Sequence, residues 1–249
     1  MKEILGIDVG ATGIKGAIVD MNKGELITER IKYPTPKPAT PQAMTEVMKK
    51  IVADFNWKGK PIGVGFPSII KEGVALSASN IDDTWLDFPI VGFLNKKLKS
   101  PVKVINDADA AGLAEKEFGC GKDKKGLVIL LTLGTGIGSA IFYNGVLLPN
   151  TELGHLKWHD SIAEKYASNN ARETKELSFK AWGKELNKLL NHIEFILSPD
   201  HIILGGGISK KFEKYGEYLK TNASIEPAKM LNNAGIVGAA MAFTQGISK

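Results

Sequence analysis

Two short stretches of the sequence put glycine, threonine and charge where a polyanion can be held. The first, GIDVGATGIKG, supplies Asp8, Gly10, Thr12 and Lys15; the second, LTLGTGIGSA, supplies Gly134, Thr135, Gly136 and Gly138. Three phosphate-cradling designs compete for such stretches. A dinucleotide fingerprint needs a strand, G-x-G-x-x-G and then a helix; here the glycines are spaced G-x-G-x-G and run into another strand. A P-loop needs G-x-x-x-x-G-K-[ST], which the chain lacks. The third design is a tight β-hairpin whose backbone amides face the phosphates, with glycine allowing close approach and positive φ. Both stretches fit it. Asp8, at a strand end, suits a Mg²⁺ ion held through water, and Lys15 adds positive charge where phosphoryl oxygens gather. Local turn hydrogen bonding is the plainer use of such Asp and Thr residues, but the repetition of the layout within one chain favours phosphate loops.

A third candidate is Asp107, which closes the apolar run PVKVIN and opens ADAAGLAEKEFG. That places it at the C-terminal end of a strand, where α/β proteins bind ligands. A helix N-terminus favours the ionised carboxylate that a general base needs. The alternative is an ordinary N-cap, a role Asp also favours.

The elements that must position these residues follow a repeated plan. EILGIDVG, GIKGAIVDM and GELITERIKYPT read as three strands separated by glycine turns, followed by a proline-rich connector. PQAMTEVMKKIVADF has helical spacing in Met44, Val47, Met48 and Ile51. PIGVGFPSII and PVKVIND are strands, and the helix from Ala108 is expected to close at Gly119 as its C′ residue. In the second half GLVILLTLG leads through the glycine loop into a hairpin turning at Asn144-Gly145. Helical patterns then fill 161–198, HIILGGGIS is a buried strand, and NNAGIVGAAMAF is a final apolar helix.

With 249 residues and 43% hydrophobic content the chain can bury one core or two modest ones. MKEILGIDVG meets Asp8 before a signal-peptide apolar region is complete, and no run approaches about 18 apolar residues, so neither export nor a membrane span is expected. The single cysteine, Cys120, excludes an internal disulfide and a cysteine-built zinc site. A reducing, cytoplasmic setting is expected. The net charge of +5 suits a polyanion, but the lysines are not interleaved with aromatics, so nucleic acid is not the expected partner.

DVGATGIKG and LTLGTGIG resemble the phosphate loops of the actin-like sugar kinases of the ROK family. NDADAAGLAE, LPNTELGHL, WGKELNKLLNHIEFILSPDHIILGGGISKKF and NNAGIVGAA are similar to the branch of that family that draws on inorganic polyphosphate. The resemblance covers nearly the whole chain. It implies an α/β, actin-like (ribonuclease H-like) two-lobe fold with a duplicated core: lobes 1–107 and 108–231, with a C-terminal helix at 232–246 packing back on the first. It implies phosphoryl transfer to the 6-hydroxyl of glucose from inorganic polyphosphate or ATP, with Mg²⁺, by a homodimer. Carried over residue by residue, it makes Asp107 the base. Asn80, Asn106, Asp107, Glu152 and His155 become sugar contacts. Asp8, Gly10, Thr12 and Lys15 form one phosphate loop and Gly134 to Gly138 the other, while Gly205, Gly206 and Gly207 approach adenosine.

The sequence departs from the family in one place. Many members follow the Gly-His pair with zinc-binding cysteines; here HDSIAEKYASNNARETKEL stands instead, zinc is not expected, and Glu164 is the candidate for the sugar contact of that region. LKWHD reads as a loop, so His155 and His159 do not make a metal pair. Trp57, Trp158 and Trp182 read as packing residues. Trp85, five residues after Asn80, is a candidate sugar floor. The stripe Trp182, Leu186, Leu189, Leu190 and Ile193 reads as core, with a dimer face as the second reading. Two rival functions remain: a kinase using ATP alone, and a non-catalytic sugar sensor of the kind that carries an N-terminal helix-turn-helix, which this sequence does not show.

Overall fold

The computed structural model describes residues 2–78 and 81–243; Asn80, expected at the sugar, lies outside them. The chain divides into two compact units, one taking the chain up to Ala114 and again from Asn233, the other Glu115–Asn232. The first unit contains β1 (Glu3–Val9), β2 (Ile14–Asp20), β3 (Glu25–Leu26), β4 (Ile31–Tyr33), α1 (Pro41–Asp54), β5 (Ile62–Phe66), β6 (Ile70–Lys71), β7 (Val74–Ala75), α2 (Ile90–Leu98) and β8 (Val102–Asn106). Helix α3 (Asp107–Phe118) carries the division between units. The second unit continues with β9 (Leu127–Leu133), β10 (Ile137–Tyr143), β11 (Val146–Leu148), β12 (Lys157–Trp158), β13 (Ser161–Ile162), α4 (Glu164–Ala167), α5 (Asn169–Thr174), α6 (Phe179–Leu197), β14 (His201–Gly205) and β15 (Ser224–Pro227). The chain then re-enters the first unit as α7 (Ala234–Met241).

The two units repeat one topology. The first sheet has the order β3-β2-β1-β5-β8 and the second β11-β10-β9-β14-β15. In each, an antiparallel meander continues into two parallel strands. Both glycine stretches are the tight turns of the central hairpins, between β1 and β2 and between β9 and β10. The Asn144-Gly145 turn forms as expected, with φ of 49° and 85°, the positive values that a two-residue hairpin demands.

Local chemistry explains where these elements start and stop. Thr40 caps α1 through its hydroxyl, Pro41 follows it, and the buried face is Met44, Thr45, Met48, Ile51 and Val52. The helical pattern at 161–198 is broken into three helices after the short strand β13, because Ser168 and Ser178 each accept the amide three residues on and restart the chain. The expected third strand of the first half is also broken. Thr28 Oγ1 takes the Ile18 amide at 3.1 Å, so a side chain stands where the ladder would use a carbonyl, and β3 and β4 pair with β2 separately. LKWHD is not a loop: it forms β12 and the turn into β13. Gly119 has no positive φ; glycine is needed there because a Cβ would stand 1.9 Å from the Glu115 carboxylate. Trp85 is fully buried, donates to the Ala39 carbonyl and packs on Phe66 and Phe88, so it is core rather than a sugar floor. The stripe from Trp182 to Ile193 is core, as expected. Among the described residues no helix is long and apolar enough to cross a membrane.

Helix α7 is seated against β1, β5 and α3 by glycines on both sides of the contact. A Cβ at Gly6 would lie 2.1 Å from the Ile236 carbonyl oxygen, one at Gly63 1.9 Å from that of Ala239, and one at Gly238 1.6 Å from that of Ala110. Gly63→Ala and Gly238→Ala are therefore expected to destabilise the protein by about 3 kcal/mol or more, since overpacking here meets backbone and not a movable side chain. Gly92→Ala, in open space on the exposed side of α2, is expected to be neutral or to stabilise by up to about 1 kcal/mol. Urea midpoints of the three variants check this contrast.

Candidate active site

In the first unit the β1–β2 register places Asp8 directly opposite Lys15, and Lys15 Nζ donates to Asp8 Oδ2 at 3.0 Å. The turn between them closes through Gly10 N–H to the Gly13 carbonyl at 3.1 Å, and Thr35 Oγ1 holds the Gly10 carbonyl at 2.6 Å. Thr12 stands exposed at its tip. Sequence reasoning missed Lys32. Strand β4 pairs Lys32 with Lys15, and the Lys32 stem crosses Gly13, where a Cβ would come within 2.4 Å of Lys32 Cε. That residue joins the loop only through pairing across the sheet, which no local pattern announces. At the other side of the loop the first turn of α7 presses on Asp8: a Cβ at Gly235 would stand 2.8 Å from the carboxyl carbon.

At the end of β8 the cap of α3 is Asn106, not Asp107. Buried Asn106 accepts from the amides of Ala108 and Asp109 at 2.9 and 3.1 Å and donates to the Ser68 carbonyl at 3.2 Å. Asp107 becomes the first helical residue, half-buried, with Oδ1 accepting the Ala108 amide at 2.8 Å. The ordinary-cap explanation for Asp107 thus passes to its neighbour. Asn106 fixes the start of the helix, and through it the direction of the Asp107 carboxylate.

In the second unit the loop closes through Gly134 N–H to the Gly136 carbonyl at 3.0 Å, leaving Thr135 exposed at the tip. Gly138 lies within β10, opposite Thr132. Behind the loop sits Glu164, whose Oε2 accepts the Ile137 amide at 3.2 Å and lies so close that a Cβ at Gly136 would be 2.2 Å away. The segment TELGH packs against the next peptide along: a Cβ at Gly154 would be 2.1 Å from the Ile137 carbonyl oxygen. Buried Ser139, also unforeseen, fastens that segment. Its hydroxyl donates to the Thr151 carbonyl at 2.7 Å and accepts the Leu153 amide at 3.0 Å. Glu152 and His155 flank the short turn that results, 3.7 Å apart.

Beside the same loop, Leu133, Gly134, Thr135, Asn170, Gly207 and Lys211 line much of a cleft of about 340 Å³. Gly205 ends β14, and Gly206, at φ 82°, has no room for a side chain against the Leu133 backbone, leaving Gly207 at the cleft. The hairpin β12–β13, in the stretch without cysteines, is held by side chains. Trp158 donates to Glu185 on α6 at 3.2 Å, His159 lies 3.5 Å from the same carboxylate, and Lys188 lies 2.8 Å from its other oxygen. Burial works to raise the Glu185 carboxyl, but the hydrogen bonds from Lys188 and Trp158 outweigh it and hold it below the usual range. Among the described residues no three acidic, histidine or cysteine groups gather into a metal cage. A magnesium ion bound through one carboxylate plus phosphates would need none; Asp8, beside the β1–β2 turn and ion-paired with Lys15, would be the carboxylate to hold it.

Burial raises the Glu152 carboxyl above its ordinary value; His155 draws it down and the negative charge of Glu164 pushes it further up. Glu164→Gln keeps an acceptor for the Ile137 amide while removing that charge. The charged form of Glu152 is then less disfavoured, so its titration is expected to move to lower pH. ¹³C NMR of the Glu152 carboxyl in both proteins checks this.

The ROK family model matches residues 4–164. The chain is 46% identical over 238 residues, 95% of its length and 89% of the relative's, to a polyphosphate glucokinase of Mycobacterium tuberculosis (strain CDC 1551 / Oshkosh). It superposes with a TM-score of 0.95 and 47% identity on the inorganic polyphosphate/ATP-glucomannokinase of Arthrobacter sp. strain KM, covering 98% of this chain and 99% of that one. A ROK family glucokinase from Streptomyces griseus, solved with glucose and AMPPNP, shares the fold at TM-score 0.80 and 24% identity, covering 96% of this chain and 98% of that one. The duplicated sheets, the two glycine hairpins and the whole-length similarity agree: this chain belongs to the ROK family and has the actin-like fold of its sugar kinases.

Proposed function

We propose that this chain transfers the terminal phosphoryl group of inorganic polyphosphate, and also of ATP, to the 6-hydroxyl of glucose, giving glucose 6-phosphate. The observation that carries this is the 46% identity over 95% of the chain to a polyphosphate glucokinase. Asp107 accepts the proton of the 6-hydroxyl as its oxygen attacks the terminal phosphorus in line. The new O–P bond forms, the bridging P–O bond breaks, and the electron pair leaves on the shortened polyphosphate or on ADP. Lys15 and the amides of Ala11 to Gly13 and of Thr135 and Gly136, which the turn-closing bonds leave unused, offset the charge spread over the phosphoryl oxygens. When bound at Asp8, Mg²⁺ supplies further neutralisation of the donor phosphates. Glu152, His155, Glu164, Asn106 and Asn80 read the sugar hydroxyls, so that a sugar lacking one leaves a polar group unpaired.

ATP use is supported by one specific feature, the cleft where Gly207 borders the second phosphate loop. A cytoplasmic homodimer completes the proposal. The lone, buried Cys120 suits a reducing compartment, and Phe195 and Ile196, exposed on α6, suit an association surface.

Glucose 6-phosphate formation with Mg²⁺, measured for each donor in wild type and Asp107→Asn, tests the proposal. Wild type is expected to turn over faster with polyphosphate, and the variant to lose about 10²- to 10⁴-fold in kcat with either donor at little cost in glucose KM. Activity with ATP alone would move the protein to an ATP-dependent sugar kinase. No product from either donor would overturn the kinase reading.

A further inference from the structure

Away from the phosphate loops the second unit has another cleft, this one basic. It has a volume of about 470 Å³ and is lined by Lys116, Asp123, Lys124, Lys125 and Asn144. Three separate segments build it: the last turn of α3, the loop leading to β9, and the β10–β11 turn. The walls are fixed. Asn144 Oδ1 accepts the Gly126 amide and its own amide donates to the Gly126 carbonyl, both at 2.9 Å, tying the turn to the loop. Largely buried Lys124 is anchored to Glu226 at 2.6 Å. Gly145 brings the turn alongside Lys116, whose Nζ would lie 3.9 Å from a Cβ there. Asp123 and Glu226 offset part of the charge. Lys116 and Lys125 have no carboxylate within ion-pair distance among the described residues, and exposed Lys122 stands next to Asp123 in the same loop.

The location in the hairpin matters. Leu127 pairs with Tyr143 at the cleft end of β9–β10, and Leu133 pairs with Ile137 at the phosphate-loop end. At about 3.4 Å per residue the two ends lie roughly 20 Å apart. An ATP molecule or a donor of three phosphates is consumed at the loop end, whereas a long polyanion has charge left over. None of the five lining residues is aromatic, and exposed Tyr143 beside Asn144 is a single ring rather than a run of stacking residues, which argues against single-stranded nucleic acid.

We propose that the cleft formed by Lys116, Lys124 and Lys125 is a second binding site for inorganic polyphosphate, which holds the distal part of a long chain while its end is used at the phosphate loops. The assignment rests on the polyphosphate donor proposed above. It makes the enzyme length-selective by attachment rather than by chemistry.

The test is the variant Lys116→Gln/Lys125→Gln, assayed with long-chain polyphosphate, tripolyphosphate and ATP across a range of salt concentrations. KM for the long chain is expected to rise about tenfold, and its salt dependence to become shallower as ionic contacts are lost. KM for tripolyphosphate and ATP, and kcat with all three donors, are expected to stay as in wild type, which also reports a folded protein. Direct binding of fluorescently labelled long-chain polyphosphate, followed by anisotropy, is expected to weaken in parallel. An unchanged long-chain KM, or an equal rise for all donors, would overturn the second site while leaving the donor reading intact. Wild type that uses ATP but no polyphosphate of any length would overturn both. RNA homopolymer that displaces the labelled chain from wild type but not from the variant would reassign the cleft to nucleic acid.

Discussion

The backbone amide of Ile137, the first residue after the second glycine loop, is held by the nearly buried carboxylate of Glu164, and much of the second unit's candidate site is arranged around that contact. A hydrogen bond to a charged partner is worth about 1.5–3 kcal/mol, and losing the partner would leave a buried amide unsatisfied. The carboxylate can reach the amide only because Gly136 has no side chain. The carbonyl of the same residue takes the weight of Gly154, and Ser139 two residues on fastens Thr151 and Leu153. One short length of strand thereby sets both the β9–β10 glycine turn and the Glu152–His155 turn. A shift at either is transmitted to the other through backbone, which has little freedom to absorb it.

The first unit reaches a comparable arrangement with different means. Asp8 and Lys15 face each other across an antiparallel register, so their spacing follows from strand pairing rather than from a fold-specific contact. Helix α7, separated from the rest of its unit by the whole of Glu115–Asn232, presses its backbone onto β1, β5 and α3 through glycines and begins against the Asp8 carboxylate. Backbone on backbone leaves no side chain to repack. The loop that carries Asp8 is therefore supported by a segment distant in sequence, and the stability of that docking is part of the site.

The glycine hairpins, the Asn144-Gly145 turn and the apolar stripe of α6 were legible because each depends on neighbours a few residues away: positive φ in a tight turn, or a repeat of 3.6 along a helix. Two departures have equally local causes. Thr28 replaces a ladder carbonyl with its hydroxyl, and Ser168 and Ser178 restart a helix that periodicity alone would run through. Capping serines are visible in a sequence, but a serine in a polar stretch is too common to outweigh an apolar period. The place of Trp85 was misread for another reason. Its closeness in sequence to Asn80 suggested a ligand, whereas the room beneath Phe66 and Phe88 put it in the core.

By itself the sequence determined the residue types, the local turns and the alternating plan of the two halves, because hairpins and helices are set by short-range sterics and hydrogen bonding. Tertiary structure decided the rest. It gave the cap of α3 to Asn106 and so released Asp107 from that role, and it brought Lys32 across the sheet to the first loop. It also put Ser139 and Glu164 behind the second loop and gathered Lys116, Lys124 and Lys125 into one cleft. Each of these depends on which strand lies beside which, and on whether a glycine leaves room for a neighbour. Those are distances between residues far apart in the chain, and no local pattern encodes them.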